Sequence, residues 1–220
     1  MSPADAIQPG APDAELPPYD GIALADVRLV RTAAEAAAAQ AALLACDAIG
    51  FDTESKPTFV KGQSSDGPHL VQFADERGAW LFPIVGDVAP LLPALKAILE
   101  APATLKVGFG LADDVKRIRA KLAIEPAAVA DLASALRVPG MKHQLGAKSA
   151  VALYFGRKLT KSKKISTTNW ATPRLTDKQM LYAADDAQVA LRVYRHWIGL
   201  GNTLPRPRPP KKPRPGPAAG

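Results

Sequence analysis

Hydrophobic and polar residues follow two different periods along the middle of the chain. Short apolar or alternating runs predict strands near residues 27–30, 48–54, 69–74, 79–84 and 104–109, with a short strand or turn near 124–129. Apolar residues three or four positions apart predict helices near residues 33–46, 88–99, 114–122 and 176–199, with shorter helical pieces near 132–136 and 145–155. Strands followed by alternating strands and helices are typical of an α/β domain with a mixed sheet.

The starts of two predicted helices carry capping residues. Thr32 precedes an alanine-rich stretch and is followed three positions later by Glu35, which is the spacing of a capping box. Thr176 precedes the last periodic stretch and is a candidate N-cap. These signals fix where both helices are expected to begin.

The two ends of the 220-residue chain differ in composition from its middle. Residues 1–22 hold four acids, no basic residue and many Pro, Ala and Gly, whereas residues 202–220 hold five basic residues and seven prolines. Neither end is apolar enough to form a core, so both are predicted to be disordered tails. Residues 23–201 are predicted to form one folded domain.

Charge and cysteine content narrow the class of protein. The middle of the chain keeps most of the net charge of +7, which favours a polyanionic partner such as nucleic acid. Cys46 is the only cysteine, so neither an internal disulfide nor a thiolate zinc cluster is expected. Because residues 1–22 show no secretory signal pattern and the alanine-rich stretch is too polar to span a bilayer, we expect a cytoplasmic protein without a membrane partner.

Two pairs of residues have spacings that place them on a common face. Asp52 and Glu54 are two positions apart at the end of a predicted strand, and Tyr182 and Asp186 are four positions apart in the last predicted helix. Carboxylates that meet at one point repel each other unless a cation lies among them, so the pairs indicate a divalent-metal site. The alternative is that the acids lie on solvated ends of their elements, and the spacing alone leaves both interpretations open.

A third segment places further acids at the start of a predicted helix. Residues 107–114 predict a strand, a glycine-containing turn, and then Asp113 and Asp114. An acid at this position also stabilises the positive end of a helix dipole, which is its commoner role. The short Gly-x-Gly lacks the third glycine of a dinucleotide-binding fingerprint. Alone, the segment supports no functional assignment.

Taken in order, these segments resemble the three motifs of the 3′–5′ exonuclease superfamily named for its four acids. The resemblance extends over roughly residues 24–200. Residues 51–54 are similar to the first motif, and residues 107–114 to the second in the form used by Werner-syndrome-type exonuclease domains. Residues 182–186 resemble the third motif in its tyrosine branch. The run at 169–176 is similar to the one that precedes this helix in Werner-type and ribonuclease D-like proteins.

The resemblance implies a ribonuclease H-like fold, an α/β fold with a mixed five-stranded sheet flanked by helices. Its first three strands would be residues 48–54, 69–74 and 79–84. Asp114 aligns with the acid of the second motif, although the spacing does not exclude Asp113. The aromatic residue that often follows the first motif in Werner-type domains is missing after Glu54, so the resemblance does not define the terminal-base pocket.

The resemblance also implies two divalent ions, Mg²⁺ or Mn²⁺, and a role for each site residue. Asp52 would bridge both ions, with Glu54 and Asp186 on the ion at the nucleophile. Asp114 would reach the second ion, and Tyr182 would orient the attacking water. A phenol with an ordinary pKa near 10 is a poor base at neutral pH, which suits a positioning role.

A basic segment lies shortly before the last predicted helix. Five residues within 157–164 are cationic: Arg157, Lys158, Lys161, Lys163 and Lys164. Such runs are usually solvated, but this position favours contact with a nucleic-acid backbone. Trp170 is a candidate for stacking on a base, with a buried structural role as the commoner alternative. The proline-rich basic tail fits added nucleic-acid affinity, a docking segment or an inert end equally well.

The predicted function is a metal-dependent 3′–5′ exonuclease that releases nucleoside monophosphates from DNA or RNA. The alternatives are a catalytically inactive nucleic-acid-binding module of the same fold and an unrelated α/β protein whose acids are incidental. The sequence does not distinguish DNA from RNA, and it names no protein partner.

Overall fold

The computed structural model describes residues 16–58, 65–136 and 144–205. The strands are β1 (Val27–Leu29), β2 (Ala48–Glu54), β3 (Leu70–Ala74), β4 (Ala79–Pro83), β5 (Leu105–Gly108) and β6 (Val129–Asp131). The helices are α1 (Ala33–Leu44), α2 (Leu92–Glu100), α3 (Ala112–Leu122), α4 (Leu132–Ala135), α5 (Ala147–Phe155), α6 (Lys163–Ser166) and α7 (Asp177–Gly199).

All six strands belong to one mixed sheet, which has the order β1-β4-β3-β2-β5-β6. The central strand β3 runs antiparallel to both of its neighbours, β2 and β4, whereas β5 and β6 run parallel to β2. The edge strand β1 pairs in parallel with β4. The structure therefore confirms the predicted α/β class with a mixed sheet.

The number of strands differs from the five that the family resemblance implied. The sixth strand is β1, in which Val27, Arg28 and Leu29 pair with Ala79, Trp80 and Leu81 of β4. The sequence predicts a strand there, but its pairing partner lies about fifty residues further along the chain. A local pattern does not show which edge such a strand joins, which is why the count was wrong.

The alternation of β2 divides its side chains between two layers. Phe51 packs with Phe73 and Phe82 in the core beneath α1 and α2. The opposite face of the sheet is covered by α7, whose Ala183, Ala184 and Ala187 are fully buried. Asp52 is one position from Phe51 and so faces the α7 side. The strand thus presents its carboxylates to the helix and its aromatic ring to the core.

Capping boxes begin both long helices, as the sequence predicts for α1. Thr32 accepts a hydrogen bond from the backbone N–H of Glu35, whose side chain accepts one from the N–H of Thr32. Thr176 and Gln179 form the same reciprocal pair at the start of α7. This pair fixes the N-terminal end of α7. No helix in the described parts of the chain is both long and apolar enough to cross a bilayer.

Some predicted boundaries differ from the observed ones. Helix α2 begins at Leu92 rather than near residue 88, because Val88 and the residues after it form a turn in which Leu91 donates to the Val88 carbonyl. Helix α3 begins at Ala112, two residues earlier than predicted. The later start of α2 coincides with Pro93, which is favoured in a first helical turn.

Part of the predicted N-terminal tail is packed against the domain. Tyr19 donates its backbone N–H to the Lys158 carbonyl at 3.0 Å, and Lys158 donates to the Pro17 carbonyl at 2.8 Å. Ile22 is buried, and its N–H donates to Asp185 on α7 at 2.7 Å. The boundary predicted at residue 22 is therefore too late. The rest of that tail, residues 1–15, and nearly all of the other, residues 206–220, lie outside the described residues.

Candidate active site

Close packing of α7 on β2 places the two main acid-bearing elements together. Gly50 lies two positions before Asp52, and a Cβ atom added to it would be 1.9 Å from the carbonyl oxygen of Ala187. Since real Cβ atoms do not approach backbone oxygens so closely, only glycine permits this contact. Asp186 directly precedes Ala187 on α7. The contact between Gly50 and Ala187 therefore sets how closely Asp186 approaches Asp52.

Four carboxylates, here called the acid cluster, meet where β2, α3 and α7 converge: Asp52, Glu54, Asp114 and Asp186. Asp114 and Asp186 are each only 7% exposed, and Asp52 and Glu54 are partly exposed. Burial, followed by the charges of Asp186 and Asp114, raises the pKa of Asp52 well above its usual range. Burial and the charge of Asp52 raise the pKa of Glu54 to about 9. The cluster is therefore short of positive charge.

The structure distinguishes between the two adjacent acids of α3. Asp114 is buried and accepts a hydrogen bond from the hydroxyl of Thr53, whereas Asp113 is exposed. Arg117 lies 3.9 Å from Asp114, from one turn further along the same helix. Burial raises the pKa of Asp114, although the Thr53 hydrogen bond and Arg117 act against the shift. Of the two acids, Asp114 is therefore the one that lies near Asp52.

One cation of the basic segment, Lys161, reaches into the acid cluster. Its Nζ lies 2.9 Å from Oδ1 of Asp186, and its side chain is 28% exposed. Burial lowers the pKa of Lys161, but the charge and hydrogen bond of Asp186 outweigh burial, so the pKa lies above its usual value. Lys161 is therefore a charged partner of Asp186 rather than a solvated lysine of the basic segment.

The donor set of the cluster fits a hard divalent cation, since it consists of carboxylate oxygens. Gln72 lies directly across from Asp52 in the β2–β3 register, and neither of its buried amide atoms has a hydrogen-bond partner among the described residues. A buried polar group of this kind suits a site that is completed by an ion or by water. Within the described residues, however, no three acid, His or Cys side chains are already arranged around a metal position.

Tyr182 and Trp170 lie beside the cluster in different environments. Tyr182 is half-buried one turn before Asp186, and burial together with the charges of Asp186 and Glu54 raises its pKa. Its ring lies 6.1 Å from that of Trp170. Trp170 is 1% exposed and donates its Nε1–H to the Ser166 carbonyl at 3.2 Å. The suggestion that Trp170 stacks on a base is corrected here, because its buried ring braces α6 and α7.

The remaining cations of the basic segment are arranged in two ways. Arg157 lies 3.4 Å from the carbonyl of Pro18, so it is used partly in holding the N-terminal segment. Lys158, Lys163 and Lys164 are exposed, with Lys163 and Lys164 in α6. Three of the five predicted binding cations thus present their charge to solvent.

Four site features were missed by the sequence analysis: Gly50, Thr53, Gln72 and the inward position of Lys161. Thr53 lies on the opposite face of β2 from Asp52 and Glu54, so a search for a shared face passes over it. Its partner is 61 residues away. The available signals were a glycine within an apolar strand, which often marks close backbone approach, and a lone glutamine within the apolar strand β3.

Comparison with known proteins gives one family. A family model described as 3′–5′ exonuclease matches residues 27–197, which include the whole acid cluster and Tyr182. The mouse bifunctional 3′–5′ exonuclease/ATP-dependent helicase WRN is 27% identical over 158 residues, covering 71% of this chain and 11% of that protein. Ribonuclease D of Pseudomonas paraeruginosa is 31% identical over 127 residues, covering 57% of this chain and 32% of that protein.

The fold agrees with that of a solved structure. The EXO domain of Aedes aegypti Nibbler superposes with a TM-score of 0.67 at 24% identity, covering 83% of this chain and 94% of that domain. This agreement supports the predicted ribonuclease H-like fold. The chain spans less than a third of the length of the two sequence relatives named above.

Proposed function

Since the chain belongs to the 3′–5′ exonuclease domain family, we propose that it is itself a metal-dependent exonuclease. It removes nucleoside monophosphates from the 3′ end of a DNA or RNA strand. The observation that carries this proposal is the acid cluster, in which β2, α3 and α7 contribute carboxylates from distant parts of the chain. Buried like charges repel, so such a cluster weakens the fold unless a cation neutralises it. The cluster therefore indicates a site that binds positive charge.

The proposed cofactor is a pair of divalent ions, Mg²⁺ or Mn²⁺, held by the acid cluster. Asp52 would contribute to both positions, Glu54 and Asp186 would complete one of them, and Asp114 would serve the other. Bound ions supply positive charge to the attacking and leaving oxygens of a phosphodiester. Thr53 holds one oxygen of Asp114 by hydrogen bonding and so helps to fix the orientation of this carboxylate.

Tyr182 acts by position rather than as a base. The raised pKa keeps its phenol protonated at neutral pH, so the hydroxyl donates a hydrogen bond instead of removing a proton. It lies one helical turn before Asp186, on the same face of α7. Packing against Trp170 limits the positions that the ring can adopt.

The exposed lysines of the basic segment supply contacts to the substrate backbone. Lys158, Lys163 and Lys164 lie on the loop and short helix just before α7. Contacts of this kind bind phosphates without regard to sequence and weaken as the salt concentration rises. They account for affinity, whereas the acid cluster accounts for cleavage.

The test uses 5′-labelled DNA and RNA strands, single- and double-stranded, with Mg²⁺ or Mn²⁺. We expect a ladder of products shortened from the 3′ end, free nucleoside monophosphates, and complete inhibition by EDTA. Asp52→Asn and Asp186→Asn should remove the ladder while circular dichroism shows an intact fold. Asp113→Asn is the matched control, since Asp113 is an exposed acid next to the cluster, and should keep wild-type activity.

Two outcomes contradict the proposal in different ways. Binding of a strand without shortening in either metal identifies the inactive nucleic-acid-binding module instead. Full digestion by Asp52→Asn and Asp186→Asn, together with activity in EDTA, shows that the acids do not perform the reaction.

A further inference from the structure

Lys161 differs from every other cation of the basic segment by its contact with the acid cluster. The Nζ–Oδ1 distance of 2.9 Å to Asp186 is that of a hydrogen-bonded ion pair, and the Asp186 side chain is only 6% exposed. The neighbouring Lys163 and Lys164 are exposed. The ammonium therefore lies where the acid cluster needs positive charge.

One ammonium neutralises only part of this charge. The pKa of Asp52 and that of Glu54 remain raised by burial and by the other acids, even with Lys161 nearby. A divalent ion compensates four carboxylates better than an ammonium does. It also needs oxygens at about 2.0–2.6 Å, which is closer than an ammonium nitrogen approaches. A metal ion bound by Asp186 would thus compete with the ammonium of Lys161 for this carboxylate.

We propose that Lys161 is the resident counter-ion of the acid cluster, and that its ammonium leaves Asp186 when a divalent cation binds. Asp186 then exchanges one positive partner for another, so the acids stay gathered in the absence of metal. This inference rests on the proposed function, because it assumes that the acid cluster takes a divalent cation.

The backbone around Lys161 is fixed, so that the exchange needs only side-chain rotation. On one side, Lys158 is paired with Pro17 and Tyr19, and Leu159 is buried. On the other side, Ser162 caps α6 through the N–H of Ile165. A lysine side chain has four rotatable methylene bonds and moves without disturbing these contacts. The displaced ammonium therefore stays at the edge of the site and can return.

The first test compares wild type, Lys161→Met, Lys161→Arg and Lys148→Met without substrate. Met keeps most of the buried stem of Lys161 and removes the charge, and Lys148 is an exposed control on α5.

In EDTA, we expect Lys161→Met to melt several degrees below wild type, since repulsion among the acids is then unrelieved. Calorimetric titration should show Mn²⁺ binding to Lys161→Met about tenfold more tightly, because a competing positive charge is gone. Lys161→Arg should keep the stability in EDTA, and Lys148→Met should match wild type.

The second test uses wild-type protein only, and so does not depend on how a variant folds. Brief acetylation with an amine-reactive reagent, followed by mass spectrometry, reports the accessibility of each lysine. We expect Lys161 to be protected in EDTA and to become several times more reactive in Mg²⁺, while Lys148 stays constant.

Failure of this inference is distinguishable from failure of the proposed function. Mn²⁺ binding that is equal or weaker in Lys161→Met, or Lys161 reactivity unchanged by Mg²⁺, overturns the counter-ion role alone. No Mn²⁺ binding to either protein contradicts the proposed metal dependence as well. Neither test needs a substrate, so a protein that digests no strand still gives an answer.

Discussion

The two ends of β2 both carry acids that face α7, yet their electrostatics are opposite. Before the strand, Asp47 meets Arg195 of α7 at 2.6 Å, and Glu76 from the β3–β4 turn meets the same guanidinium at 2.8 Å. At the far end, Asp52 and Glu54 meet Asp186, with Lys161 as the paired cation. One end pairs two acids with one arginine in solvent, and the other gathers four acids, with Lys161 paired to Asp186 and Arg117 3.9 Å from Asp114.

The pKa values express this difference. The hydrogen bond from Arg195 lowers the pKa of Asp47 to about 2, and the Asp47 side chain is 77% exposed. Burial instead raises the pKa of Glu54 to about 9. The first arrangement is an ordinary surface ion pair. The second consists of buried carboxylates that repel one another and lack enough positive charge to compensate them. Within one strand and one helix, the excess of buried negative charge distinguishes the end at which we propose the active site.

The largest expected effect is on the rate of strand shortening, and it separates the same Glu→Gln substitution made at the two ends of β2. Glu54→Gln removes a proposed metal ligand, and loss of several kcal/mol of transition-state stabilisation lowers the rate of strand shortening about a thousandfold. Glu76→Gln changes an exposed partner of Arg195 and should leave the rate unchanged. Timed digestion of a labelled strand measures both. Equal losses in the two variants would remove the distinction between the ends.

Thr53 tests whether the support of the acid cluster matters as well as its charge. Its hydroxyl donates to Asp114, so Thr53→Val leaves a buried carboxylate oxygen without that donor. We expect about a tenfold loss of activity, as for other residues that orient a metal ligand. Thr53→Ser keeps the hydroxyl and should recover most of it. A wild-type rate for Thr53→Val would show that Asp114 needs no such support.

The sequence predicts the elements of this comparison better than their contacts. The faces on which Asp52 and Asp186 lie can be predicted from local spacing. The capped starts of α1 and α7 can be predicted in the same way. The position of Lys161 cannot, because five cations within eight residues look alike until the loop is packed against α7. Asp47 lies just before β2 and Asp52 lies within it, and only tertiary packing gives the first an arginine and the second three further acids. Local patterns record which face a residue occupies, but not what approaches that face.

The free energy of unfolding of the metal-free protein should fall as the pH rises, because the pKa of Glu54 is raised. Its pKa is raised to about 9 in the folded protein from an ordinary 4.5, so the folded state holds a proton that the unfolded state has lost. The stabilising contribution is complete below about pH 4.5 and is lost as the pH rises through 9. In EDTA, the melting temperature of wild type should fall between pH 5 and pH 9, and Glu54→Gln should fall less. Parallel curves for the two proteins would contradict the raised pKa.

The smallest effect is expected at the arginine end. Arg195→Met removes both ion pairs, but they are exposed, so the free energy of unfolding should fall by no more than about 1 kcal/mol at pH 7.

The lowered pKa of Asp47 sets the pH range of this effect. The contribution of Asp47 is present above the unfolded pKa of 3.8 and is lost as the pH falls through about 2. Urea unfolding of wild type and Arg195→Met should therefore differ by a constant amount from pH 5 to 8. The difference should shrink towards pH 2, which is the opposite direction to the dependence expected at the acid cluster. A difference that grows on acidification, or a loss of strand shortening in Arg195→Met, would show that the two ends of β2 are not electrostatically independent.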